Sequence, residues 1–156
     1  MKRPAPDNKK ITAWKKYCDW LWARLIKARA GFKCEICGEL HRADGKIRQI
    51  HAHHLIDREV LIYRHEPMNG ICLCASCHNG DKHRAAHRNP KAFSVLFWST
   101  GATSMAIMDR YFWWEQHWET GPDHDRLKPK IKDCGGTPGY PAIADRLEGQ
   151  LKELAA

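Results

Sequence analysis

Along TAWKKYCDWLWARLIKAR, residues 12–29, Trp14, Cys18, Leu21 and Leu25 recur at helical intervals, and Lys15, Lys16, Asp19, Arg24 and Lys27 fall largely between them. This is the pattern of a helix with one apolar face. It is expected to end near Gly31, which can take a left-handed cap. Trp20 lies toward the basic side and reads either as a core edge or as a contact for a base or sugar. In NPKAFSVLFW, Asn89 is placed as an N-cap and Pro90 at the first helical position. Phe93, Leu96 and Phe97 share a face there, and the helix should stop before Gly101. A third helix is expected from about Ser104 to Trp118, with Met105, Met108, Tyr111, Phe112 and Trp118 apolar; the area such rings bury assigns the stripe to the core. Residues 121–141, GPDHDRLKPKIKDCGGTPGYP, read as a loop or linker. Pro141 then opens a last helix whose stripe of Ile143, Leu147, Leu151 and Leu154 either docks on the domain or pairs with a second chain.

The centre of the chain follows a different period. IHAHHLIDRE sets His51, His53 and His54 in an apolar run flanked by Ile50, Leu55 and Ile56. Successive side chains of a strand point to opposite faces, so the neighbours His53 and His54 must serve different surroundings. NGICLC reads as a second short strand and is followed by a helix beginning near Ala75. The fold class is therefore α+β.

The 156 residues, 43% of them apolar and seven of them Trp, can supply one sizeable core. No apolar run approaches the roughly 18 residues that a membrane span needs, and no hydrophobic segment follows MKRPAPDNKK. No membrane partner is expected, and the location is taken as cytoplasmic. The net charge of +8 is uneven: residues 1–33 hold ten Lys or Arg against two Asp, and the remainder holds sixteen of each sign. Such an arm, with Lys9, Lys10, Lys15, Lys16, Arg24 and Lys27, suits a polyanion such as DNA, because each neutralised phosphate releases counterions. The alternative is a solubilising tail on a helix.

Seven Cys, with no export signal, favour metal binding over disulfides. KCEICG supplies Cys34 and Cys37, and LCASCHN supplies Cys74 and Cys77. Two C-x2-C knuckles of this kind suit a tetrahedral structural Zn²⁺. Cys72 leaves a shifted ligand choice open, although Cys74 fits better because C-x2-C lets both sulfurs converge from one turn. Cys18 and Cys134 have no such partner spacing. A site of this kind can supply on the order of 10 kcal/mol to folding.

HHLI, NGICLC and CASCHN, taken in this order and spacing, resemble the zinc-knuckle branch of the HNH endonuclease family over residues 34–88. The resemblance implies a ββα-metal core stapled by a four-cysteine zinc, with an N-terminal helix and additional C-terminal helices around it. It implies hydrolysis of phosphodiester bonds in DNA. His53 falls on the first metal-ligand position, where Asp is frequent, and His54 on the general base. Asn69 falls on the Asn that orients the base through its loop, and His78 on the second metal ligand. With His at the first position, Mn²⁺, Ni²⁺, Co²⁺ or Zn²⁺ joins Mg²⁺ as a candidate catalytic ion. His51 is a further ligand or a polar face residue. His83 and His87 lie four apart on the expected helix, a spacing that can serve a metal; His83 itself supports a ligand or touches a phosphate, or is merely exposed. Arg58, Arg64, Lys82, Arg84 and Arg88 are expected at the DNA backbone on charge alone.

The segments are then a basic arm and helix (1–33), the nuclease core (34–88), an aromatic helical extension (89–120), and a linker with the last helix (121–156). The chain is similar to small phage-encoded HNH proteins, including recombination nucleases, so a homodimer or a phage terminase or recombination partner is an open expectation. Two rivals remain: a non-catalytic zinc-stapled nucleic-acid-binding module, and an accessory factor in phage DNA packaging or recombination.

Overall fold

The computed structural model describes residues 1–5, 11–38, 42–43, 46–47, 49–80, 82–83, 85–101, 105–118 and 136–156. Lys9, Lys10, Arg84 and Cys134 lie outside them. Helix α1 (Ile11–Arg29) buries Trp14, Cys18, Leu21 and Leu25 as its spacing predicts, and also Tyr17, Trp22 and Ile26. Its end is closed by two backbone bonds, Gly31 N–H to the Ala28 carbonyl and Phe32 N–H to the Lys27 carbonyl, both 2.9 Å. Gly31 takes φ +57° there, which a glycine adopts without steric cost.

Strands β1 (Arg42–Ala43) and β2 (Lys46–Ile47) form a small antiparallel pair that the periodicity did not announce. Strands β3 (Ile50–His54) and β4 (Gly70–Cys74) pair antiparallel, from Ile50 opposite Cys74 to His54 opposite Gly70. One face of this pair turns Ile50, Ala52 and Cys72 toward α1. The other carries Ile71 and Leu73 into a second cluster with Phe93, Phe97 and Ile107. These last come from α2 (Pro90–Gly101) and α3 (Met105–Trp118). Asn89 caps α2 as expected, its Oδ1 accepting from Ala92 N–H at 3.1 Å. Phe112, assigned to the core on apolar character, is instead 50% exposed. The same helix buries Arg110, whose guanidinium reaches Glu35 at 2.6 Å. No helix among the described residues is long and apolar enough to cross a membrane.

Helix α4 (Gly136–Glu153) begins five residues before Pro141, which lies inside it, so residues 136–141 are helix and not linker. The reason is docking: Tyr140 is buried, and its carbonyl lies 3.5 Å from the Cys18 sulfur. Tyr140, Ala144 and Leu147 share a cluster with Trp14, Tyr17, Cys18 and Leu21. The apolar stripe of the last helix is thus covered by α1 at Ile143, Leu147 and Leu151, whereas Leu154 lies past the helix end and is 50% exposed. The helix expected from Ala75 is a single π-helical turn, Ser76–Gly80.

Residues 55–66 and the 3₁₀ turn Pro67–Asn69 connect β3 to β4, and side chains from outside the hairpin hold this connection. Asp19 of α1 takes Arg64 through two parallel bonds, Nε at 2.8 Å and Nη2 at 2.9 Å, and takes His65 Nε2 at 2.9 Å. Trp22 Nε1–H donates to the Glu66 carbonyl at 3.0 Å, and Arg146 of α4 donates to the His65 carbonyl at 3.0 Å. Arg29 donates to the Pro67 and Gly70 carbonyls at 2.9 and 2.6 Å. Gly70 is needed where it stands, since a Cβ there would collide with Ile26 and Trp22.

Burial opposes ionisation of Asp19, but hydrogen bonds from His65 and Arg64 outweigh it and hold the carboxyl below the usual carboxylate range. A depressed carboxylate stabilises the fold above its unfolded pKa of about 3.9, and that contribution is lost as the pH falls below it. The side chain is 35% exposed, so solvent screening trims the effect to about 1–2 kcal/mol. Urea denaturation of the wild type and Asp19→Asn should therefore show a gap of that size at pH 7. The gap should narrow progressively as the pH falls below about 4; a gap independent of pH would remove the ion pair as its source.

Candidate active site

The two knuckles meet. Cys34, Cys37, Cys74 and Cys77 place all four sulfurs within 4.8 Å of one another. A tetrahedral ion with metal–sulfur bonds of about 2.3 Å needs sulfurs about 3.8 Å apart, and Cys37 and Cys74 stand at 3.8 Å. Burial, followed by the charge of Cys34, pushes the Cys77 thiol up. At Cys34 burial acts in the same direction, but backbone N–H groups of Cys37, Cys74 and Ile36 outweigh it and bring that thiol down. Four crowded thiols of this kind ionise together only around a cation, so the donor set fits a structural metal such as zinc. Cys72, the alternative ligand, points to the α1 side of β4; burial pushes its thiol up to about 12. The cysteine choice left open by the sequence resolves to Cys74.

A second cluster lies on the opposite face of β4 from Cys72. His53, His78 and His87 each offer a ring nitrogen within 4.8 Å of the others, and His78 Nε2 and His87 Nε2 are 3.1 Å apart. His53 and His78 are expected together from the sequence. His87 is not, because a helix running on from Ala75 would carry it away. The chain turns back after Gly80 instead, with Ala86 N–H bonded to the Cys77 carbonyl at 3.0 Å and His87 N–H to the His78 carbonyl at 3.1 Å. Asn79-Gly80, a turn dipeptide placed directly after His78, was the available signal. His83 is exposed and stands outside the cluster. His51 stacks flat on His78, ring centroids 4.6 Å apart, as a face residue beside the three. Burial first, then neighbouring imidazoles, lowers His53 to about 3 and His78 to about 4. Both rings are neutral at pH 7, with lone pairs available to a metal.

His54 faces the other way. Its ring stacks on Trp22 of α1, centroids 3.8 Å apart and planes within 9°. Its Nε2 lies 3.0 Å from the Arg64 carbonyl. A carbonyl only accepts, so Nε2 carries the proton and the neutral ring presents a bare lone pair at Nδ1. Burial leads the lowering of its pKa to about 4. Among the described residues Nδ1 has no hydrogen-bond partner.

Asn69 is fully buried and bonds across the connection from both ends of its amide. Oδ1 accepts from Ile56 N–H at 2.6 Å, and Nδ2 donates to the Ile56 and Tyr63 carbonyls at 2.9 and 3.0 Å. It thereby fixes the turn that presents the Arg64 carbonyl to His54.

The basic residues divide. Lys16, Arg24, Arg58, Lys82 and Arg88 are exposed, and Lys15 and Lys27 are half-buried. Arg64 departs from its expected place at a DNA backbone: it is 7% exposed and its guanidinium is occupied by Asp19 and the Arg58 carbonyl. Charge alone could not separate it from its neighbours. Trp20 is half-buried, stacked on Tyr17 at 5.7 Å and covered by the Arg24 guanidinium at 4.7 Å.

Comparisons with protein-family models, curated proteins and solved structures find no match to this chain. The two cysteine alternatives are separable by experiment. Protein purified without chelator should carry one tightly held zinc on the thiolates. Elemental analysis should show that ion lost in Cys74→Ser and retained in Cys72→Ser; the reverse result would move the ligand.

Proposed function

We propose that this chain is a metal-dependent DNA endonuclease or nickase of the HNH type, with His54 as general base and a single catalytic divalent ion at His53, His78 and His87. The observation that carries the reading is the division between two adjacent residues. His53 turns into a three-imidazole cluster, and His54 turns away with a lone pair at Nδ1. Three imidazoles crowded together have little reason to converge unless something shares their lone pairs.

In the hydrolysis we infer, a phosphodiester lies across the end of β3. His54 Nδ1 takes a proton from the attacking water, a task worth about 10²–10⁴ in rate for a well-placed base. Asn69 keeps the connection in the shape that orients the base. A divalent ion on the three imidazoles would supply charge at the phosphate and at the leaving 3′ oxygen. An all-imidazole donor set favours Mn²⁺, Co²⁺, Ni²⁺ or Zn²⁺ over Mg²⁺. The four thiolates keep the two halves of the site together and take no part in the reaction. Exposed cations on α1 and near the hairpin, Lys16, Arg24, Arg58, Lys82 and Arg88, would meet the DNA backbone. The basic arm would add affinity that weakens with salt.

Incubation of supercoiled plasmid with each of these ions tests the reading. The wild type should nick or cut, and His54→Ala should lose about 10²–10⁴ in rate while still binding DNA. His87→Ala should require much more metal for the same rate, and His83→Ala should not. A wild type inert with every ion, yet still binding DNA, would leave a zinc-stapled binding module in place of an enzyme.

A further inference from the structure

An imidazole held at Cβ and at one ring nitrogen can still swing about the line joining those two points. The single bond from Nε2 to the Arg64 carbonyl thus fixes where His54 ends but not where Nδ1 points. The second restraint comes from α1, outside the region that resembles a nuclease. Trp22 lies flat against the ring, 3.8 Å away and within 9° of parallel, and is itself 2% exposed and immobilised by its neighbours. Its Nε1–H also holds the Glu66 carbonyl, two residues from the carbonyl that His54 engages. Asp19 lies one turn earlier on the same side of the helix and grips Arg64 and His65.

We propose that Trp22 is the positioning residue of the general base: its indole face sets the plane of His54, and its N–H and Asp19 set the loop that selects the base's tautomer. The inference rests on the nuclease reading of His54 for its consequence in rate, but its structural part stands apart from activity. Arg29 and Arg110, which donate to the Gly70 carbonyl at 2.6 and 3.3 Å, anchor the residue paired with His54 across the sheet. They act through its strand partner, whereas Trp22 lies on the ring itself.

The test compares full-length zinc-loaded wild type with Trp22→Leu and Trp22→Phe, and with Trp14→Leu as a buried tryptophan on the same helix facing α4. Long-range proton–nitrogen spectra of the imidazoles, with His54 assigned by its loss in His54→Gln, report the tautomer. Plasmid cleavage reports kcat and KM separately. The wild type should show His54 as one tautomer protonated at Nε2. Trp22→Leu should show a mixture, with kcat down roughly tenfold or more and KM for DNA unchanged. Trp22→Phe, which keeps a flat ring but loses the N–H to the Glu66 carbonyl, should fall between the wild type and Trp22→Leu in both tautomer purity and rate. Trp14→Leu should lose stability with kcat intact. A single tautomer and wild-type kcat in folded Trp22→Leu would overturn the proposal. So would a wild type protonated at Nδ1, a result that needs no variant to fold. If the wild type cuts nothing but the tautomer still collapses in Trp22→Leu, the nuclease reading fails and the hold of Trp22 on His54 stands.

Discussion

Adjacent side chains of a β-strand cannot share a face, and everything at this site follows from that restriction acting on His53 and His54. With β3 and β4 in their observed register, His53 stands on the face of Ile71 and Leu73, beneath α2. His54 stands on the face covered by α1. A one-residue slip would exchange them, placing His54 where the imidazole cluster forms and His53 against an indole. The register is framed at one end by the four converging cysteines and at the other by Gly70, where the close approach of Ile26 and Trp22 leaves no room for a side chain.

Two kinds of force hold the hairpin. The cysteine cluster adjoins the apolar group of Ile71, Leu73, Phe93 and Phe97, so a metal there would stiffen a core that is otherwise small. The connection from residue 55 to residue 69 has few apolar anchors, Ile56 and Val60 among them. It is kept in shape by directed polar contacts: Asn69 from within, Asp19 and Trp22 from α1, Arg146 from α4. Buried polar networks are costly when incomplete, and this one brackets the Arg64 carbonyl, with bonds to the Tyr63, His65 and Glu66 carbonyls on either side of it. Geometry at His54 is therefore set by elements far away in the sequence.

The periodic parts of this architecture were legible from residues alone. The apolar stripe of α1, the Asn89-Pro90 start of α2 and the alternation in IHAHH each follow from local spacing, and the cysteine knuckles from a motif. Three features were not legible, for identifiable reasons. The start of α4 was hidden because Pro141 marks a helix opening locally, whereas the burial of Tyr140 against α1 is a tertiary effect. The place of His87 beside His78 was signalled only weakly, by Asn79-Gly80, because a single π-helical turn and a continuing α-helix begin alike and it is the return of the chain that brings residue 87 back to residue 78. Arg64 looked like its exposed neighbours because its partner, Asp19, lies 45 residues earlier. Local pattern reports the faces of elements, and long-range pairing decides which polar groups those faces consume.

The most direct measurement is anomalous diffraction from crystals of the zinc-bound protein soaked in Mn²⁺ or Ni²⁺. Division of labour between the two neighbouring histidines predicts a second anomalous peak, apart from the thiolate-bound zinc, at about 2.0–2.2 Å from ring nitrogens of His53, His78 and His87, with His54 still against Trp22 and unligated. A second ion bound by His54, or no second ion at concentrations that support cleavage, would contradict it.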